Sequence, residues 1–333
     1  MKYFILFFTI LIVACTSNRT TVQPDEIVKI NCKPIKSELF IGLPIQLTVK
    51  DKYLIINDFK ISPMLSVYDL ERDTLYCQLF NIGRGPLEEM PPLQMCMNDN
   101  NLLVYGRNTH KLYFLSKLTS DTKPEILTTN VNFNSYVSTI FPLDSIYIAS
   151  GTFSDGRYAL FNNQGDLFAY TGDYPNYMQG EDNLPLQGKG MFHQSLFFRR
   201  GNSKQIGSAT SHVLDLYNYD QSGLHTAKRI LLAPYDYLCR TGNILEARAS
   251  ESTQRGVIGA CATFNYIYLL FNPNKAISGH KSINEIWVFD WNGIPIKKIL
   301  PDKNFSVFTI NDAGSIIYGI DYDLNLYKIN LNV

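Results

Sequence analysis

The residues best suited to bind an anionic group lie in the short loop Gly83-Arg84-Gly85-Pro86-Leu87-Glu88. Arg84 stands between two glycines, whose backbone can adopt positive φ and whose missing side chains leave the guanidinium unobstructed. A guanidinium can hold a carboxylate through two parallel hydrogen bonds. The sequence therefore predicts Arg84 as a ligand-binding residue, with Glu88 beside it. The alternative is structural: the glycines shape a turn, and Arg84 pairs with Glu88 or with a neighbouring repeat.

Three further residues could contribute to the same site. Arg107 and Arg157 each lie in a polar loop after a predicted strand. His212 could act as a base, because histidine titrates near neutral pH, although a lone histidine near a strand start can equally be a satisfied structural residue. We predict Arg84, Glu88, Arg107, Arg157 and His212 as ligand-binding residues, and we assign no catalytic residue.

The sequence has no recognisable catalytic or metal-binding motif. It contains no G-x-S-x-G elbow, no H-E-x-x-H, no Walker loop and no dinucleotide fingerprint. Beyond residue 15, no cysteines form a C-x-x-C pair, and no histidine lies at metal-ligand spacing from them. We therefore predict no metal and no cofactor. Most of the remaining cysteines are expected to be small buried side chains, with one disulfide permitted; they are Cys32, Cys77, Cys96, Cys239 and Cys261.

The N-terminus carries an export signal. Met1-Lys2 precedes an apolar run, Tyr3 to Ala14, which is too short to span a bilayer but has the length of a signal-peptide core. Ile12-Val13-Ala14-Cys15 matches the bacterial lipoprotein cleavage box. This predicts a signal peptide at 1–14, lipidation of Cys15 and a flexible tether over 15–26. Several acyl chains together give a stable anchor. The alternative is an ordinary secretory signal with a chance cysteine.

Six repeated strand patterns must position these loops. Each pattern ends on an apolar or aromatic anchor followed by a polar residue, and the anchors are spaced by roughly 40 to 70 residues: Tyr68, Leu115, Phe161, Tyr217, Phe289 and Ile329. A strand repeat of this length is typical of a β-propeller. The sequence predicts an all-β, six-bladed propeller with four-stranded antiparallel blades, forming one domain over 27–333.

Loops and termini complete this prediction. Blade six lacks a fourth strand, which the alternating segment Glu26 to Cys32 is expected to supply, closing the ring. Residues 243–252 predict one or two helical turns in an insertion between blades four and five. Arg199-Arg200 with Gly201-Asn202-Ser203 indicates a solvated hairpin turn.

The connections that follow the second and fourth strands of each blade emerge on one face. The predicted ligand-binding residues are therefore expected to share a rim.

The G-R-G-P-x-E loop lies behind a lipoprotein box and ahead of repeated Y-D and F-D strands. With this order of motifs, the chain resembles the TolB-like six-bladed propeller lipoproteins of Gram-negative, Bacteroides-type bacteria. The resemblance implies the architecture, and it does not transfer the partners of TolB itself. Residues 16–21 contain no acidic residue. By the known sorting rules for lipoproteins, this absence implies that the protein is anchored on the periplasmic side of the outer membrane. Many members have glycine after the proline, where this chain has Leu87.

Composition narrows the class of partner. Lys+Arg and Asp+Glu number 30 each, so the chain lacks the basic bias of a nucleic-acid-binding protein. We expect a lipid-anchored module that contacts the membrane through its lipid and binds an unknown protein or small molecule. The alternative is a propeller hydrolase or lyase acting on a carbohydrate or lactone at the channel mouth. A divalent cation on the axis would favour that alternative.

Overall fold

A computed structural model describes residues 20–35, 39–98, 101–116, 124–131, 136–220, 223–240, 246–275 and 282–331. Six antiparallel sheets are arranged as the blades of a propeller, as the sequence predicts. We name the strands of each blade A to D from the axis outward. The A strands of neighbouring blades contact one another around the axis. No helix of the described ranges is both long enough and apolar enough to cross a membrane.

The strand bounds follow the repeat. The A strands are Pro44–Lys50, Leu93–Asn98, Val137–Leu143, Leu196–Arg199, Gln254–Ala262 and Phe305–Ile310. The B strands are Tyr53–Asp58, Asn101–Gly106, Ile146–Gly151, Gln205–Ala209, Tyr266–Lys275 and Ile316–Asp321. The C strands are Leu65–Asp69, Lys111–Ser116, Tyr158–Asn162, Val213–Asp220, Glu285–Asp290 and Leu326–Asn330. The D strands of blades one to five are Thr74–Leu79, Glu125–Asn130, Leu167–Thr171, Gly223–Leu231 and Pro295–Pro301.

The core lies between blades, because each sheet is covered on both faces. In blade one every residue of the B and C strands is buried, whereas the D strand is largely exposed. Ile55 and Val67 of blade one pack with Leu102 and Val104 of blade two in one apolar cluster. A strand buried on both faces is apolar without strict alternation, which explains the continuous apolar runs in the sequence.

The N-terminal segment closes the ring, but with different residues from those predicted. Lys33–Pro34 pairs antiparallel with Leu326–Asn330 and forms the outer strand of blade six. The alternating stretch Ile27–Ile30 pairs instead with the D strand of blade five, in parallel, as a fifth strand. Alternation predicted a strand correctly. It could not indicate which of two adjacent open sheet edges that strand would occupy.

Two insertions break the repeat. Between blades three and four lie a 3-10 helix, Glu181–Asn183, and an α-helix, Leu186–Phe192, neither of which the sequence analysis anticipated. Between blades four and five, Tyr237–Arg240 pairs with Glu246–Ala249 in a hairpin. Over 246–252 the predicted helix is therefore wrong, since cross-strand pairing overrides the local helical preference of that stretch; residues 243–245 lie outside the described ranges. The α-helix packs against both strands of the hairpin. A short parallel pair, Asn81–Ile82 with Glu88–Glu89, frames the predicted arginine loop.

Candidate ligand-binding site

A cavity of about 610 Å³ lies on the propeller axis. Its lining comes from the A strands of all six blades, because these strands face the axis. Both polar and apolar residues line it; examples are Thr48, Met95, Thr139, Phe141 and Thr309. The lining also includes residues of the turns that join A to B strands, so the cavity reaches that face of the propeller. We call this end the A–B mouth.

Polar A-strand side chains tie the first four blades together around the cavity. The Gln46 side chain accepts a hydrogen bond from the Met95 amide at 2.8 Å and donates one to the Met95 carbonyl at 3.2 Å. Gln94 accepts from the Ile140 amide at 3.0 Å, and Thr139 donates to the Ser195 carbonyl at 2.9 Å. Backbone groups that face a cavity need partners. These side chains therefore form part of the scaffold, and the cavity wall is fixed before any ligand arrives.

Charged side chains surround the A–B mouth. The Lys50 ammonium lies 2.9 Å from the Asp312 carboxylate and joins blades one and six. The Arg199 guanidinium lies 2.8 Å from Asp144, which Lys204 also contacts, so blades three and four are joined in the same way. Hydrogen bonds from Lys204 and Arg199 outweigh burial and lower the pKa of the Asp144 carboxyl.

One aromatic side chain projects from this mouth. Phe264 is 61% exposed and lines the cavity, and the Arg200 guanidinium lies 4.8 Å from the centre of its ring. The Arg200 Nε also donates to the Phe264 carbonyl at 2.9 Å, which fixes the pair. The segment 199–203 does form the hairpin turn that the sequence indicates. The sequence alone gives no indication that Arg200 lies next to Phe264, which is 64 residues further along the chain.

The predicted arginine loop lies on the opposite face from the A–B mouth. Arg84 is exposed, and no ion pair joins it to Glu88 within the described ranges. The Glu88 carboxylate instead accepts the Gly85 amide at 2.7 Å. A Cβ at Gly83 or Gly85 would stand 2.1 or 2.9 Å from that carboxylate.

A side chain at either glycine would therefore displace the Glu88 carboxylate from its hydrogen bond with the Gly85 amide. Neither adopts a positive φ, so the conformational reason given from the sequence is wrong. Leu87 has the positive φ, 59°. Anion binding by Arg84 stays a prediction.

Arg107 shares this face and is half-buried. Its guanidinium stacks over the Tyr136 ring at 5.2 Å, and Tyr136 is itself 47% exposed. Burial lowers the pKa of Arg107. Its Nε is buried and has no partner in the part of the chain that the structure describes. Ligand contact by Arg107 also stays a prediction.

Arg157 is buried, so its role in this structure is to hold blades three and four together. Its Nη1 lies 2.7 Å from Asp215 and 3.0 Å from the Tyr217 hydroxyl, and its side chain is 1% exposed. Arg229 contacts the other oxygen of Asp215 at 2.5 Å. A guanidinium enclosed in this way is not accessible to a ligand at the surface.

His212 is buried as well. Its Nε2 lies 2.7 Å from the Gln254 carbonyl, and its ring is stacked on Phe192 at 5.8 Å. Burial lowers the pKa of His212 to about 4. The structural interpretation of this histidine therefore fits the geometry. Neither His212 nor Arg157 lines the axial cavity, and neither do Arg84, Glu88 and Arg107.

Glu181 joins the two insertions and was missed by the sequence analysis. One carboxylate oxygen accepts the amides of Tyr177 and Met178 and the hydroxyl of Tyr235, at 2.9, 3.1 and 2.9 Å. The other oxygen contacts His193 at 2.8 Å and Tyr237 at 3.0 Å. A carboxylate with five donors has no free site for a ligand. Among the described residues, no group of three or more His, Cys, Asp or Glu side chains could hold a metal ion.

These features define a β-propeller with an axial cavity, and comparison with known proteins identifies its family. Residues 25–313 match the model of the TolB-like 6-blade propeller-like family. The chain therefore belongs to that family. No curated protein matches the sequence.

Solved structures share the architecture at low sequence identity. A Bacteroides fragilis protein described as a "putative exported protein" is 12% identical, with a TM-score of 0.55 over 91% of this chain and 98% of its own. A DUF4221-family protein of Bacteroides vulgatus is also 12% identical, with a TM-score of 0.54 over 93% and 97%. The Neurospora crassa Pan2 WD40 domain has a TM-score of 0.50 at 12% identity over 95% and 96%. At such identities these similarities concern the fold alone.

Proposed function

We propose that this propeller is a binding module of the bacterial cell envelope. It is anchored by lipid on Cys15 at the periplasmic side of the outer membrane, and it takes an anionic ligand or partner segment at the A–B mouth. The signal peptide and Cys15 lie outside the described residues, so the anchor rests on the Ile12–Cys15 motif. The similarity to a Bacteroides fragilis protein described as exported supports an envelope location.

The observation that carries the binding role is the exposed Phe264 with Arg200 at the edge of the axial cavity. A large exposed aromatic beside a preformed concave space is a common feature of binding sites. Lys50, Arg199, Arg200 and Lys204 lie around the mouth, opposed by Asp144 and Asp312. The excess of basic groups favours a ligand that carries negative charge together with an apolar or aromatic part.

An anionic aromatic dye tests this proposal before any natural ligand is known. We expect anilinonaphthalene sulfonate to bind the purified protein, and Phe264→Ser and Arg200→Gln each to weaken binding by roughly tenfold. A stacked guanidinium–aromatic pair that becomes desolvated contributes about 1 kcal/mol or more. Fluorescence titration measures the affinity.

The matched control is Phe168→Ser. Phe168 is 54% exposed on the D strand of blade three, away from the cavity lining. We expect this variant to bind the dye as wild type does. Equal losses in the mouth variants and in the control would contradict binding at the A–B mouth.

A further inference from the structure

The segment that precedes the propeller does not behave as a free tether from its first described residue. The Val22 amide donates to the Leu231 carbonyl at 2.8 Å, and its side chain packs against the apolar cluster between blades four and five. Pro24 is buried. The Glu26 carbonyl accepts the Lys298 amide at 2.7 Å, after which the chain continues into the strand Ile27–Ile30. Residues 20–26 are thus held on the outer side of blades four and five.

This docking shortens the free linker between a lipid on Cys15 and the docked segment; we call this linker, Cys15 to Thr20, the leash. A chain extends by at most about 3.4 Å per residue, so five residues from Cys15 to Thr20 span about 17 Å. A compact chain of this size has a radius of gyration of about 20 Å and hence a diameter of about 50 Å. The docked leash is too short for the opposite side of the ring, formed by blades one and two, to reach the bilayer.

The surface around the docked segment has the chemistry of a membrane-contacting face. Ile27 and Ile294 are 57% and 51% exposed, and Lys29 and Lys228 are exposed beside them. Apolar side chains interspersed with lysines suit the interface of an anionic bilayer. Asp25 and Glu26 are the acidic residues of the same segment, so the attraction is modest and the leash supplies most of the constraint.

The geometry points to the outer side of blades four and five as the surface that rests on the lipid bilayer. The propeller is then held edge-on, and its axial cavity opens along the membrane rather than towards it. This inference rests on the lipid anchor of the proposed function. It adds an orientation and a second contact surface, which the acyl chains alone do not define.

Photo-crosslinking from two matched positions tests the orientation. A photo-reactive phenylalanine analogue replaces Ile27 in blade five or Leu127 in blade two, both exposed apolar residues of outermost strands. The lipidated full chain is reconstituted in vesicles of phosphatidylethanolamine and phosphatidylglycerol, and lipid adducts are measured by mass spectrometry. Because the leash keeps blade two away from the bilayer, we expect at least about fivefold more adduct from position 27 than from 127.

A spacer variant supplies the control. Inserting about 16 Gly and Ser residues between positions 19 and 20 raises the fully extended span of the leash to about 70 Å, beyond the diameter of the domain, and should narrow the difference between the two adduct yields. Flotation with the vesicles is scored first. A chain that is not lipidated and does not float would refute the anchor and this inference with it. Flotation with equal adducts from both positions of the unmodified leash would refute the orientation alone.

Discussion

Replacing Glu181 with glutamine should release the two insertions from each other. Five donors converge on the Glu181 carboxylate, and Glu181 has no exposed surface. Hydrogen bonds to a charged group contribute about 1 kcal/mol more than those to a neutral one. Losing the charge at five bonds, with partial re-pairing of the tyrosine hydroxyls, gives a destabilisation of about 3 kcal/mol.

The fold requires the Glu181 side chain in its charged, carboxylate form. Burial alone would raise the pKa of Glu181, but hydrogen bonds from His193, the Met178 amide and Tyr235 outweigh burial and lower it. A carboxyl whose folded pKa lies below its unfolded value stabilises the fold above the unfolded pKa. That stabilisation is lost as the pH falls towards the folded value. Glu181→Gln should therefore also remove part of the acid sensitivity of the insertions.

Hydrogen exchange with mass spectrometry locates the effect. A loss of about 3 kcal/mol corresponds to roughly 150-fold faster exchange. We expect this in peptides covering 177–193 and 235–240. With an unfolding entropy of roughly 0.7 kcal/mol/K for a chain of this length, the same loss lowers Tm by about 4 °C if it acts on global unfolding. The control is Glu71→Gln, whose side chain is 73% exposed. Unchanged exchange in these peptides, or the same change in the control, would refute the role given to Glu181.

Single substitutions at His212, Arg84 and Cys15 test three other parts of the molecule. The free energy of unfolding should fall between pH 6.5 and 4, because His212 has a folded pKa of about 4 and binds its proton first in the unfolded chain. Acid titration of stability should show that His212→Gln, which retains a donor for the Gln254 carbonyl, flattens this dependence. Arg84→Ala should change stability in urea by about 0.5 kcal/mol or less, since the side chain is exposed; a loss above about 2 kcal/mol would indicate a structural role instead. Cys15→Ala should release the protein from the membrane fraction or leave an uncleaved precursor, and an unmodified N-terminus beyond residue 15 in the wild type would contradict lipidation.

The fold could be predicted because burial on both sheet faces leaves a signal in each blade. Strands such as Tyr53–Asp58 and Leu65–Asp69 are buried throughout and recur at the repeat spacing. The A strands gave a weaker signal. In Val137–Leu143 and Gln254–Ala262 the pairing register shifts, and polar residues such as Thr139 face the cavity. Both effects break the period-two pattern on which strand prediction depends.

The candidate site could not be predicted, because it forms only when distant turns meet. Arg200 and Phe264 belong to different blades, and each lies in a turn that reads as ordinary solvated structure. Arg157 and His212 show the converse error. A polar residue in a loop suggests exposure, yet residues of the neighbouring blade and of the insertions bury both side chains. Tertiary coverage of a loop has no local signature in the sequence.

Crosslinking in intact cells tests the binding role at the A–B mouth most directly. A photo-reactive phenylalanine analogue at Phe264 is compared with the same group at Phe168 and at Arg84 on the opposite face. We predict a discrete adduct from position 264 that disappears when Arg200→Gln is added, with no such adduct from the other two positions. An adduct from position 84 with none from 264, or equal adducts from 264 and 168, would contradict it.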